Sequence, residues 1–157
     1  MKTSTLVFIR RDTAVLLAMK KRGFGAGKYN GAGGKVEPNE STEEAACREV
    51  LEETGIQSTP RDLTLIATID FYFDQNEVWN QHCFVYETRV FTGEPQETEE
   101  MKPQWFTEAD IPYDHMWIDD RIWLPSALAG TRAHWTFTFS ADGTEIQNYT
   151  QTPLVSA

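Results

Sequence analysis

Positive charge is scarce in this chain. Lys and Arg number 14 against 24 Asp and Glu, a formal charge of −10 over 157 residues. A surface built for a polyanion needs the opposite balance, so nucleic-acid polymers and anionic membranes are not expected as main partners. Cysteine is nearly absent. Cys47 and Cys83 form no Cys-x-x-Cys pair, so two buried free thiols in a reducing compartment are expected. No apolar run approaches the ~20 residues of a membrane span. Met1 to Thr5 holds a single Lys before a strand-like run, unlike a secretory leader. From these absences a cytoplasmic chain is expected.

Several catalytic motifs are missing too. A P-loop needs Gly-x-x-x-x-Gly-Lys-Ser/Thr, but Tyr29 follows Gly27-Lys28 and Val36 follows Gly34-Lys35. Gly-x-Gly-x-x-Gly does not occur between Gly23 and Gly34. There is no His-Glu-x-x-His, and His82, His115 and His134 stand alone. No Gly-x-Ser-x-Gly elbow is present.

What remains is a globular composition, 40% apolar, with nine Phe, five Trp and five Tyr to fill a core. The length suits one domain spanning residues 1–157. Thr5 to Ile9 and Ala14 to Met19 read as a hairpin around Arg11-Asp12. Six glycines between Gly23 and Gly34 mark a loop with unusual dihedrals or close approach to a ligand. Ser41 to Thr54 is the clearest helix: Ser41 and Glu44 form a capping box and Gly55 ends it. Leu63 to Phe73 alternates as a long strand, with Cys83 to Phe91 as its antiparallel neighbour. A short strand is expected at Pro103 to Phe106. Asp119 or Asp120 suits the cap of a second helix running to about Leu128, with Pro125 inside it. Trp135, Phe137 and Phe139 begin a final hairpin. The class is α+β, helices on a mixed sheet.

The chemistry concentrates in the first helix. Glu49, Glu52 and Glu53 stand at i, i+3 and i+4 and so share a face. Three adjacent carboxylates repel one another unless cations neutralise them, and hard divalent metals prefer oxygen ligands. Taken alone, the cluster fits a solvated Glu-rich helix face as well as a metal site.

The wider spacing separates the two. Gly34, five residues, Glu40, seven residues, Arg48-Glu49-Val50, one residue, Glu52-Glu53, one residue, Gly55-Ile56: this resembles the Nudix box of nucleoside diphosphate-linked hydrolases at every specified position. The resemblance implies an α/β/α sandwich with a catalytic loop–helix–loop that holds Mg²⁺ or Mn²⁺. It implies Glu49, Glu52, Glu53 and the Gly33 carbonyl as metal ligands, Glu40 and Arg48 as the pair that fixes the loop, and Glu52 or Glu53 as the base acting on water.

Outside the box, Met19 to Lys28, Asn30-Gly31, Gly33 to Val36, Glu100-Met101, Trp105-Phe106, Met116-Trp117 and Asp119-Asp120 resemble the MutT-type oxidised-purine nucleoside triphosphatases of that family. That likeness implies Asn30, Asp119 and Asp120 as base readers. Trp117, Phe71, Phe24 and Met101 are implied as pocket walls, Lys20 as a contact at the open end, and Glu100 as a further acid at the metal. The substrate implied is a nucleoside triphosphate such as 8-oxo-dGTP or 2-hydroxy-dATP, and the enzyme a monomer. Tyr29 and Ile118 depart from the branch, which has Trp and Pro there. The residue types suit recognition of a purine. An indole stacks on its ring, Asn offers both a donor and an acceptor, and one of two adjacent buried carboxyls keeps its proton. Asp119 is equally suited to a plain helix cap, and Trp117 to a core. Another nucleotide substrate, or a non-catalytic binding module, also stays open.

Overall fold

Apolar residues on alternating and continuous runs commit more of the chain to strands than to helices, and the two faces of the sheet need separate cover. The computed structural model describes residues 1–154. The elements run β1 (Lys2–Arg11), β2 (Ala14–Lys20), β3 (Tyr29–Asn30), α1 (Thr42–Thr54), β4 (Thr64–Phe73), β5 (Gln81–Thr88), β6 (Met101–Thr107), α2 (Asp120–Leu128), β7 (Ala133–Phe139) and β8 (Ile146–Pro153). The sheet is ordered β3-β2-β1-β5-β4-β7-β8, and β6 also pairs with β2. β1 with β5 and β4 with β7 are parallel, and the other pairs are antiparallel. The sheet is therefore mixed, as the pattern suggested.

The pleat sorts side chains between two cores. Ile69 and Phe137 pack with Trp123 and Leu124 of α2 on one face. Val7 and Ile9 pack with Ala46 and Val50 of α1 on the other. Fully burying a residue such as Val50 stabilises by roughly 1.5–3 kcal/mol, so α1 is anchored by its apolar stripe rather than by propensity. Both sides of the expected capping box are formed between Ser41 and Glu44, and Gly55 closes the helix at φ 80°. Buried Arg10 then ties three elements together. It donates to Glu87 of β5, to the Leu128 carbonyl at the end of α2, and pairs with Glu108.

Four sequence expectations shift. β5 runs Gln81–Thr88 rather than Cys83 to Phe91. The Thr88 hydroxyl donates to the Val90 carbonyl and accepts from its N–H, a local loop that competes with the ladder and ends the strand. β6 begins at Met101, two residues before Pro103. Pro103 fits because β6 has only β2 beside it, so its missing N–H costs no ladder bond on the open side. Asp119 occupies the position before α2, but its backbone is helical and its side chain makes no cap bond. The two-residue strand β3 was not anticipated. It is too short to show a period, and pairing with β2 alone defines it. Among the described residues no helix is long and apolar enough to cross a membrane.

Candidate active site

The loop before α1 lies flush against β1. Thr5 donates to the Gly34 carbonyl at 2.9 Å and Val7 to the Ala32 carbonyl at 2.6 Å. A Cβ on Gly33 would stand 1.8 Å from the Thr5 carbonyl oxygen, and one on Gly34 would stand 2.6 Å from the Glu49 carboxyl. These two glycines are thus required by close approach. Gly23, Gly25 and Gly27 instead supply positive φ.

Arg48 clamps the loop to the helix. It donates twice to Glu40, at 2.7 and 3.0 Å, and once to the Lys35 carbonyl at 3.1 Å. This bidentate pairing lowers the Glu40 carboxyl below its ordinary range. The same guanidinium reaches Glu49 at 3.0 Å and Glu52 at 3.4 Å.

The three helix acids share a face, as their spacing required, but their carboxylates take different partners. Glu49 and Glu52 turn toward Arg48. Glu53 accepts from the Gly33 N–H at 2.8 Å. Glu100 is exposed and pairs with Arg22 at 3.4 Å, so the structure does not draw it in among the helix acids. Among the described residues, no three acidic, His or Cys side chains converge into an ion-sized cage.

The donor set still fits a hard divalent cation. Burial pushes Glu53 up to about 7, with the charges of Glu49 and Glu52 adding to it, and burial also raises Glu49. A cation bound beside these carboxylates would favour their charged forms. Among the described residues the Gly33 carbonyl receives no hydrogen bond and so keeps its lone pairs. Every donor is oxygen, the chemistry that Mg²⁺ or Mn²⁺ prefers.

A cleft of about 570 Å³ runs from this loop across the sheet. Gly33, Gly34 and Glu53 stand at one part of its lining. Asn30, Trp117, Asp119 and Asp120 stand at another, and Lys20, Phe24, Phe71 and Met101 line it as well. Glu40, Arg48, Glu49, Glu52 and Glu100 lie outside the lining.

The buried carboxyl pair is the most polar feature of the cleft. Asp119 is 4% exposed and Asp120 2%. The Asp119 carboxylate accepts from the Trp123 indole at 2.8 Å, while one Asp120 oxygen is buried without a partner. Burial pushes Asp119 up to about 6. Burial, and then the neighbouring Asp119 charge, raises Asp120 well above its ordinary value. Two buried carboxyls side by side resist ionising together, so the pair favours holding a proton and can present a donor beside an acceptor. Asn30 lines the cleft and its amide oxygen accepts from the Gly31 N–H at 2.8 Å, which orients the amide. Trp117 has two close neighbours, the Phe24 ring at 5.2 Å and the Lys28 ammonium 5.3 Å from its centroid. A Cβ on Gly25 would touch that indole at 3.2 Å.

Sequence reasoning missed part of the lining: Ser4, Phe73, Trp79, Gln81, Cys83 and Phe139. The strand register carries the signal. Gln81 pairs with Phe71 and Cys83 with Ile69, so both side chains face the cleft with the Phe71 ring. Ser4 donates to Gln81 across the neighbouring strand at 2.6 Å.

Comparison with known proteins follows the same lines. The NUDIX domain matches residues 2–127. The chain is 46% identical to an oxidized purine nucleoside triphosphate hydrolase of Danio rerio, over 88% of this chain and 86% of that one. It is 44% identical to the protein of the same name from Mus musculus, over 79% and 78%. Among solved structures, a MutT protein from Bacillus halodurans superposes with a TM-score of 0.82 at 25% identity, covering 99% of this chain and 100% of that one.

Proposed function

The chain belongs to the NUDIX family and is a Nudix hydrolase, and from that premise we propose that it hydrolyses oxidised purine nucleoside triphosphates to the monophosphate and pyrophosphate. 8-oxo-dGTP and 2-hydroxy-dATP are the expected substrates. One observation carries the reading: a single cleft joins the buried Asp119–Asp120 pair to the Gly33–Glu53 end of the acidic helix. A base read by the first would carry its phosphates to the second.

Glu49, Glu52, Glu53 and the Gly33 carbonyl would hold Mg²⁺ or Mn²⁺, with Glu100 as a further acid for which the loop must rearrange. When bound, such an ion supplies charge neutralisation and a more acidic water. The rest falls to the chain itself. Arg48 and Glu40 keep the loop on the helix, so the Gly33 carbonyl and Glu53 stay side by side. Glu53, or Glu52 beside it, takes the proton of the attacking water. Lys20 lines the cleft and favours negative charge near Glu53, which suits a polyphosphate.

At the other end Trp117 and Phe71 supply apolar walls for a purine. The Asp120 carboxyl donates and the Asp119 carboxylate accepts, while the Asn30 NH₂ provides a third contact. An oxidised purine differs from its parent in where its edge donates and accepts, so this arrangement can separate the two. Steady-state assays of 8-oxo-dGTP against dGTP, with Mg²⁺ and with EDTA, test the proposal. The expected result is at least a roughly tenfold higher kcat/KM for the oxidised base, the scale of one mispaired polar contact, and loss of turnover in EDTA. Equal turnover of dGTP would remove the oxidised-base reading.

A further inference from the structure

The cleft has an aromatic roof, and one of its members, Trp79, was not foreseen from the sequence. Phe24 is 59% exposed, an unusual state for so large an apolar ring. Two indoles lie against it, Trp79 at 4.8 Å and Trp117 at 5.2 Å between ring centroids. Phe24 sits between Gly23 and Gly25, whose φ angles of 82° and 83° allow the loop to fold back over the cleft.

Trp79 stands on firmer ground. It closes the 3-10 turn Glu77–Trp79 that links β4 to β5. Asn80 accepts from the Phe73 N–H at 2.8 Å and pins that turn. The Phe73 ring meets the indole edge-on at 5.5 Å. The turn between β7 and β8 backs the same spot: a Cβ on Gly143 would lie 3.2 Å from Phe73 and 3.9 Å from Trp79. Phe24, Phe73, Trp79, Trp117 and Gly143 all line the cleft.

We propose that Trp79 is a substrate-positioning residue, the fixed side of an aromatic clasp in which Phe24 closes over a bound purine between Trp79 and Trp117. The clasp deepens the nucleotide reading above and rests on it. Its physical basis is burial. A base beneath Phe24 offers the exposed ring an apolar surface, so the ring loses contact with water only when the cleft is filled. The clasp therefore holds ligand already present and acts mainly on its escape. It does not touch the phosphates, so the chemical step is not its target.

The test compares wild type with W79A, W79F and F24A, using 8-oxo-dGTP turnover and stopped-flow dissociation of the 8-oxo-dGMP product. Thermal melts confirm that each variant is folded. W79A and F24A should each raise KM and the product dissociation rate roughly tenfold, the scale of one lost aromatic contact, while kcat changes less than about threefold. W79F, which keeps a ring against Phe24, should recover most of the loss. A folded W79A with unchanged KM and dissociation rate overturns the clasp. So does a W79F no better than W79A, or a fall in kcat with KM held. If W79A does not fold, W79F and F24A decide by the same two readouts. A wild type that binds no purine nucleotide removes the underlying reading instead, so the two failures are distinguishable.

Discussion

Replacing Glu53 with Gln should lower turnover of an oxidised purine triphosphate by about 10²- to 10⁴-fold, the usual range for losing a positioned general base. Gln keeps an oxygen to accept from the Gly33 N–H, now at 2.8 Å, so the loop should stay in place and the melting temperature should hold. The substitution removes a charge and a proton acceptor from the cleft without removing shape. Glu52→Gln makes a useful comparison. Its carboxylate is more exposed and leans on Arg48 at 3.4 Å. Whichever residue takes the proton should show the larger loss in kcat. Single-turnover assays at saturating substrate measure that step without interference from product release.

The second large effect concerns the base. Asp119→Ala should cut the preference for 8-oxo-dGTP over dGTP by roughly 10- to 100-fold, because it deletes an acceptor and orphans a buried indole N–H. Trp123 donates to Asp119 at 2.8 Å, so truncation also loosens a core indole that backs the pair. Cleavage of dGTP should suffer less. Asp120→Asn should be milder, since an amide NH₂ replaces a carboxyl that already donates. Ratios of kcat/KM for the two triphosphates decide both points, and a larger loss in D120N than in D119A would reverse the assigned roles.

The same pair leaves a mark on stability. Both carboxyls are raised in the folded chain, Asp119 to about 6, against about 3.9 when unfolded. A raised folded value means that the native state holds protons the unfolded chain has released. The favourable contribution is full below about pH 4 and is lost as pH climbs through 6 and beyond. A D119N/D120N chain has nothing to lose there. Relative to wild type it should gain stability steadily between about pH 4 and pH 8. Denaturant melts at the two pH values measure this, and parallel pH curves for the two proteins would contradict it.

The residues made some of this legible and hid the rest, for reasons that differ by element. Helix α1 was readable because its signals are local: Ser41 and Glu44 within one turn, Gly55 at its end, and acids at i, i+3 and i+4. The spacing put Glu49, Glu52 and Glu53 on one face but could not say where each carboxylate would turn. Arg48 sets that, since one guanidinium draws Glu40, Glu49 and Glu52 together. Asp119 looked as fit for a cap as for a pocket. Burial and the Trp123 bond separate those roles, and both depend on contacts that no window of sequence contains. Trp79, Gln81 and Cys83 entered the cleft through strand register and a short turn, which are set by pairing across the sheet. Glu100 illustrates the opposite limit, because likeness placed it at the metal while the structure pairs it with Arg22.

The central claim is that the acids of α1 and the Gly33 carbonyl bind a divalent cation in the presence of nucleotide. Manganese titration followed by electron paramagnetic resonance, with 8-oxo-dGMP present, tests it most directly. Wild type should bind Mn²⁺ saturably, Mg²⁺ should compete for the site, and a folded E49Q/E53Q protein should bind at least roughly tenfold more weakly. Equal Mn²⁺ affinity in wild type and E49Q/E53Q would contradict the account.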